Sequence, residues 1–571
     1  YPRGAQTMPL AGAATAGELT VRKDGSYLWR RADGRRFLYS RWGLLQHITD
    51  RNGNRVRLDY DSDYRLQTIR DDAGRTVAVQ WRGDRITSLE DPEGHPVDYA
   101  YDEVGRLSSV TDAVGDRIEY GYSGTRLTEI RKPDGSERRY RYRVHHGQWK
   151  TVATVDEEGN EEHFRYYPER GYTEYQNPSG IVTRYYTDAR GRTTRERYAD
   201  GSETKFAYDE KDNLVSRTDE RGHTWHYEYD DWGNRISEID PLGRRRRWSY
   251  NRFAKITEEA DYLGRTTRGH YDDSGNVVEV VHPDGLIERT TYTDRGKPRS
   301  VTDRTGETTR YAYDTNGYLS EVEHPDGAIE RFEHDSMGRL TAGVDASGLQ
   351  TRYEYRSDGL LSTMVRTASA PGGRELEQRT ELRYNNRKDL VTRIGPGDTT
   401  WIFRYDRRHL LTETETPVGD TVRYSYRGDG KRISRVVDGL SKVAYSYDAR
   451  GRLSQVHHLE TNRRTRLDYD AAGNLSHRTD PGGAVTTYRY SPAGRITSRE
   501  GPTGARRGFA YDAVGNLVRY TDEREFETRF SYDKMDRRTA VIGPEMQRVD
   551  GLNRQAQHAE RVRVGRLGVG K

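Results

Sequence analysis

Tyr313-Asp314-Thr315-Asn316-Gly317-Tyr318-Leu319-Ser320-Glu321-Val322-Glu323-His324-Pro325-Asp326-Gly327-Ala328-Ile329-Glu330-Arg331-Phe332-Glu333 is one complete unit of this chain, and His334 opens the next. Turn formers fill its first five positions. Leu319–Glu323 is a short, partly apolar run. His324-Pro325-Asp326-Gly327 supplies a second turn, with proline and glycine where fixed and positive φ are wanted. The run up to His334 then alternates, with Phe332 and His334 on one side. Strand, turn, strand, turn predicts one β-hairpin per unit.

The unit is copied. Tyr208, Tyr229, Tyr250, Tyr271, Tyr292, Tyr313, His334 and Tyr355 stand 21 residues apart without a slip. The beat runs upstream through Tyr142, Tyr122, Tyr101, Trp81, Tyr60 and Tyr39, and downstream from Tyr384 to Tyr532. Between Tyr142 and Tyr186 it is irregular, with room for two units and Tyr166 or Tyr167 as the middle marker. About 24 units result, and a period this regular marks a repeat architecture. Aromatic pairs two residues apart, such as Tyr99/Tyr101, Tyr311/Tyr313 and Tyr445/Tyr447, share one strand face and predict a ladder of cross-strand aromatic contacts. The apolar residues of the other strand are three apart (Leu107 and Val110, Leu319 and Val322), which strict alternation forbids. A bulge or a sharp twist in that strand reconciles them; a single helical turn is the alternative, but about five residues are too few for a stable helix.

Composition alone sits near the disordered class, with 32% hydrophobic residues, 33% charged residues and a mean hydropathy of −1.08. The 42 tyrosines placed in phase argue for order, because tyrosine buries a large ring while its hydroxyl stays bonded or wet. Lys plus Arg is 95 and Asp plus Glu is 91, interspersed, which argues against a dedicated nucleic-acid surface. The densest basic run, Arg244–Arg247, reads as solvated or ion-paired. The absence of cysteine excludes disulfides and thiolate metal sites. No stretch is apolar enough to be a membrane helix, and no signal peptide is visible. The chain starts at Tyr1, not Met, so the expectation is a piece of a longer polypeptide or a processed product.

The recurrent wording Tyr-Asp-x-x-Gly-Arg/Asn-Leu, as in Tyr101–Leu107, Tyr447–Leu453, Tyr469–Leu475 and Tyr511–Leu517, is followed by turns such as Asp91-Pro92-Glu93-Gly94 and Asp240-Pro241-Leu242-Gly243. It resembles the YD repeat of the RHS family, which includes bacterial Rhs polymorphic toxins, insecticidal toxin-complex subunits and teneurin shells. The resemblance implies an all-β fold: a YD-repeat β-hairpin array whose long spiralling sheet curls into a hollow shell. About 48 strands at ~4.8 Å would span roughly 230 Å if flat, and sheets that long curl. Neighbouring turns of the spiral then cover exposed edges. The expected layout is a lead-in over 1–30, the shell over 31–555 with insertions near 143–185 and 366–380, and an irregular tail over 556–571.

The resemblance further implies a structural shell that encloses a C-terminal toxin not present in this chain, a secreted effector core with a type VI spike protein and a chaperone as partners. The alternative is a carbohydrate-binding or adhesion protein at the cell surface. The family's self-cleaving Asp-Pro-x-Gly-Leu motif is not found after Tyr532, and Val549–Arg554 reads as a degraded unit, so no enzyme is expected. Candidate chemistry elsewhere reads blandly. Gly565–Lys571 matches the start of a phosphate loop but lacks the Ser/Thr and helix. His145-His146 with Glu157, Glu158, Glu161, Glu162 and His163 matches no metal spacing and reads as a polar insertion loop. Asp50, Asn52 and Asn54 read as a turn, not a calcium loop. Asp102, Asp209, Asp230, Asp272 and Asp314 hold one repeated place and are expected to cap turns. Thr367–Gly373 reads as a loop insertion. No catalytic, cofactor or metal residue is assigned, and no cofactor is expected.

Overall fold

A computed structural model describes residues 7–10, 17–31, 33–369 and 375–543. Among them, 51 strands form one antiparallel sheet, each paired with its neighbours in sequence, from Thr7–Leu10 to Arg538–Ile542. The only helical elements among the described residues are two short 3-10 turns, Pro168–Arg170 and Pro396–Asp398.

Every unit uses the same two strands. In Thr308–Tyr313 the residues Thr309, Tyr311 and Tyr313 face one way and are half-buried, while Arg310 and Ala312 face the other and are exposed. The following strand, Leu319–Glu323, pairs Ala312 with Glu321 and then Tyr313 with Leu319, so one residue is left over. This bulge puts Leu319 and Val322 on one face despite their spacing of three, and it recurs at the Tyr marker along the chain. The expected aromatic ladder is not what forms. Tyr99, Tyr311 and Tyr445 lie opposite Val110, Val322 and Val456, because strands bearing a marker Tyr are never neighbours. Aromatic–aliphatic pairs carry that face in these units, and cross-strand aromatic pairs form locally at Phe164–Tyr175, Tyr172–Tyr186 and Phe509–Tyr520. The other face carries ion pairs such as Arg289–Glu279 at 3.1 Å and Arg268–Glu258 at 2.8 Å.

The turns share one geometry. Gly317 N–H donates to the Asp314 carbonyl at 2.9 Å and Asp314 N–H to the Tyr318 carbonyl at 2.8 Å, with Gly317 at φ 83°. This is a type I turn closed by a residue in the left-handed region, the form that sets strand register in three-residue hairpin loops.

The two irregular stretches are absorbed within the pattern. His145-His146 is no insertion loop: His146 and Gly147 form a tight turn between Glu137–His145 and Gln148–Val155, with φ of 47° and 75°. Tyr166, and not Tyr167, is the marker of this region, since its hydroxyl bonds the Thr151 carbonyl as other markers bond theirs. The extra residues after Tyr355 lengthen one hairpin. Leu361–Ser369 pairs with Glu375–Tyr384, so Thr367, Ala368 and Ser369 are strand residues, and 370–374 lie outside the described residues. Val549–Arg554 and Gly565–Lys571 also lie outside them.

Candidate functional site: a seam between two coils

Three residues per unit hold the strip together along its length. The Tyr292 hydroxyl donates to the Val277 carbonyl at 2.7 Å, and Tyr208, Tyr355 and Tyr490 bond Thr193, Leu340 and Leu475 in the same way. Each acceptor is the first residue of a bulged strand, where the ladder is disrupted and leaves a carbonyl to satisfy. The Asp after the marker caps the turn: Asp102 Oδ1 accepts the Val104 and Arg106 N–H groups at 3.1 and 2.8 Å, and Oδ2 holds the Arg106 guanidinium at 2.7 Å. Asp209, Asp230, Asp272 and Asp314 likewise accept the backbone N–H four residues on. Arg106 then lies over the ring of the next marker, Tyr122, 4.8 Å from its centre, and donates to the Gly124 carbonyl. Arg452 repeats this with Tyr469 and the Asp470 carbonyl. Each turn is thereby tied to the one after it.

A second set of contacts joins residues hundreds of positions apart. Arg339 Nη2 meets Glu93 Oε2 at 2.7 Å, Lys388 Nζ meets Asp112 Oδ2 at 2.8 Å, and Arg387 pairs with Asp134 at 3.3 Å. Arg450 bonds Glu220 at 2.8 Å and Arg265 bonds Asp536 at 3.0 Å. Arg407 N–H donates to Glu158 Oε1 at 2.7 Å, and Arg75 lies against the Tyr318 ring and hydroxyl. Sequence separations run from 224 residues for Asn52–Asn276 to 277 for Lys132–His409, so one turn of the strip takes about 11 to 13 repeats.

The pairing is one-sided. A strip of hairpins has two long edges, one carrying the turns after the Tyr markers and the other carrying the Asp-Pro-x-Gly type turns. In every pair just named, the marker-side turn belongs to the later coil and the other turn to the earlier one. What meets is turn against turn, not strand edge against strand edge. The third turn residue does much of the crossing: Asn52, Glu93, Asp134, Glu158 and Arg221 on one side, and Phe253, Arg387, Arg408 and Arg450 on the other. The Phe253 ring stands 3.4 Å from where a Cβ on Gly34 would be. The sequence analysis placed Asn52 and Glu93 in turns and Glu158 in a polar loop, and gave none of them a contact with a distant turn. The charges across the seam are complementary in both senses: Glu93, Asp134 and Glu220 of the earlier coil face Arg339, Arg387 and Arg450 of the later one, while Arg221 and Arg265 of the earlier coil face Asp470 and Asp536.

The flagged residues fall into place around this seam. Asp50 caps a turn whose Asn52 and Asn54 cross to Asn276 and to the Arg295 carbonyl. Glu157 is buried beneath Lys132 and Arg138 at 2.8 and 3.1 Å, and these hold its carboxyl below the usual range against the opposing cost of burial. Arg244, Arg245 and Arg246 pair with Asp240, Glu228 and Glu259. Among the described residues no group of three or more His, Cys, Asp or Glu is placed to hold a metal, and no helix is long and apolar enough to cross a membrane. Clefts of about 380 and 420 Å³ open along the seam, the first between Val110, Ile118 and Pro133 on one coil and Lys388 and His409 on the other.

Comparison with known proteins agrees with the repeat. Residues 82–117, 208–245 and 292–329 match the RHS Repeat family model, and residues 372–541 match the Teneurin YD-shell model. Among solved structures, the chain is similar to TcdB2-TccC3 (14% identity, 95% of this chain and 35% of that one, TM-score 0.49). It is also similar to TcdB2-TccC3-TEV (12%, 95% and 37%, 0.48) and to a Photorhabdus luminescens Tc holotoxin pore (12%, 95% and 36%, 0.45). The chain spans a little over a third of the length of these chains. No curated protein matches it.

Proposed function

We propose that this chain, a member of the RHS/YD-repeat family, is wall material of a shell that encloses a toxin. The observation that supports this most is the seam. With about 23 strands per turn at ~4.8 Å, one coil takes up about 110 Å of strip, a ring roughly 35 Å across. Side-chain contacts from Arg51 to Asp536 hold one coil upon the next. In this reading the strip acts by enclosing a volume and carries out no chemistry of its own. Its acids and bases are taken up in turn caps and ion pairs that repeat along the chain. The marker tyrosines spend their hydroxyls on backbone carbonyls, which favours a wall over a ladder for stacking sugars.

Cryo-electron microscopy of the purified chain should show a coiled wall around an empty centre. A solid particle or an open ribbon contradicts the proposal. A glycan array should stay silent, and reproducible binding would favour the carbohydrate reading. The extension to a secreted effector core, delivered by a type VI apparatus with a spike protein and chaperone, rests on the family resemblance. It predicts that export from the native host stops when that apparatus is disabled; undiminished export contradicts it.

A further inference from the structure

Inside the seam, the turn Asp112–Asp116 departs from its sister turns. Where an aspartate opens a turn on this edge of the earlier coil, the fifth residue donates to its carboxylate. Asn54, Arg75, His95, Asn160, His223, Arg244 and Arg265 all do so. In this turn the fifth residue is Asp116, a second carboxylate. Asp112 Oδ1 accepts the Asp116 N–H at 3.0 Å, and Asp112 Oδ2 takes Lys388 from the later coil at 2.8 Å. Among the described residues no cation pairs with the Asp116 carboxyl, which burial and then the Asp112 carboxylate hold above its ordinary value.

Asp116 lines the seam cleft of about 380 Å³, between the cross-strand pair Val110 and Ile118 with Pro133 on one coil and Lys388 and His409 on the other. An apolar cleft with a few convergent polar groups is the usual form of a ligand site. The cations around it are already engaged: Lys388 with Asp112, Arg387 with Asp134 and Asp389, Lys132 and Arg138 with Glu157. His409 Nδ1 lies 2.6 Å from Asp389 Oδ1. These lysines and arginines therefore have carboxylates of their own, and Asp116 is the one left over. Lys388 and His409 hold φ of 67° and 66° at the fourth turn position, where glycine stands in most turns. Backbone strain of this kind gathers at ligand clamps.

We propose that this cleft binds an organic cation, a guanidinium carried on an aliphatic chain, with its fork on Asp116 and its chain against Val110, Ile118 and Pro133. A guanidinium is what Arg75, Arg244 and Arg265 supply at the same place in their own turns, and its planar fork matches a carboxylate. The cleft has walls on both coils, so the bound cation also ties one coil to the next. The inference rests on the seam geometry and is independent of what the coil encloses.

Isothermal titration calorimetry of the whole chain with n-butylguanidinium tests this. Wild type should bind saturably with a Kd of about 1 mM or tighter, the range open to so small a ligand. The uncharged n-butylurea, of nearly the same shape, should not bind. Asp116→Asn should weaken binding by about tenfold or more. Asp116→Arg restores the pairing of the sister turns, so it should lose binding while melting at or above the wild-type temperature. N-acetyl-arginine methylamide distinguishes the sources of the cation. Tighter binding than n-butylguanidinium assigns the site to an arginine borne on a polypeptide, and weaker binding assigns it to a free small molecule. Wild type that binds neither guanidinium saturably overturns the proposal. So does n-butylurea that binds as well as n-butylguanidinium, or binding that survives undiminished in Asp116→Asn or Asp116→Arg while circular dichroism shows native β-sheet.

Discussion

A tyrosine every 21 residues is an economical way to order a polar chain. The Tyr292 ring packs on the aromatic–aliphatic face while its hydroxyl satisfies the Val277 carbonyl at the bulge. Tyr292→Phe keeps the ring and orphans the carbonyl, so it should cost about 0.5–1.5 kcal/mol, read as a lower urea midpoint. An unchanged midpoint would mean that water replaces the hydroxyl without loss. The titrating groups set a pH window. The Arg65 backbone N–H, then its guanidinium, hold Asp61 below its ordinary value of 3.8 against a smaller opposing effect of burial. The Arg192 side chain does so for Asp188 and the Asn213 amide for Asp209. Their contribution is complete above the unfolded value and lost as pH falls through the lowered one. Burial raises Tyr60, Tyr166, Tyr271 and Tyr292 above 10.0, so their contribution is complete below pH 10 and lost as pH climbs past it. Thermal melts should therefore be flat from about pH 5 to 9 and fall on both sides. A peak at one flank would contradict this. The roles of Asp and Gly were legible in the sequence because each recurs in one place. The tyrosine's acceptor was not, because it is a backbone atom created by the bulge.

The hairpin is the unit of register. Its turn needs a residue in the left-handed region at the fourth position, and where glycine is missing the chain carries strain, as at Ala254 with φ 55°. Ala254→Gly should therefore stabilise by about 0.5–1 kcal/mol, the reverse of the usual effect of glycine. A lower melting temperature would refute the strain. The bulge was legible from Leu319 and Val322 standing three apart. The aromatic ladder was misread, because periodicity along one strand does not say which strand lies beside it. Deleting one whole unit, Tyr313–Glu333, leaves every later turn on its own edge and should give a soluble, cooperatively melting protein. Deleting ten residues, 324–333, removes one strand and one turn and sends all later turns to the wrong edge. Equal solubility and melting of the two deletions would contradict the assignment of edges.

For the whole molecule the question is whether a strip of hairpins coils or merely twists. Chain length and sheet twist made curling legible in the sequence. They did not fix the repeats per coil, which depend on the turn residues that meet: Glu93 with Arg339, Asp134 with Arg387, Glu220 with Arg450. Isolated ion pairs of this kind contribute about 1 kcal/mol or less when exposed, but here they are partly shielded and repeat along the seam. The chain contains no cysteine, so Ala73→Cys and Thr315→Cys can be labelled with a donor and an acceptor dye without background. These turns are joined across the seam by Arg75 and Tyr318. Energy transfer between them should be near complete in the folded protein, since the two turns touch. In a strip that twists without closing, the same sites lie about 23 strands apart, about 110 Å, and transfer would be absent.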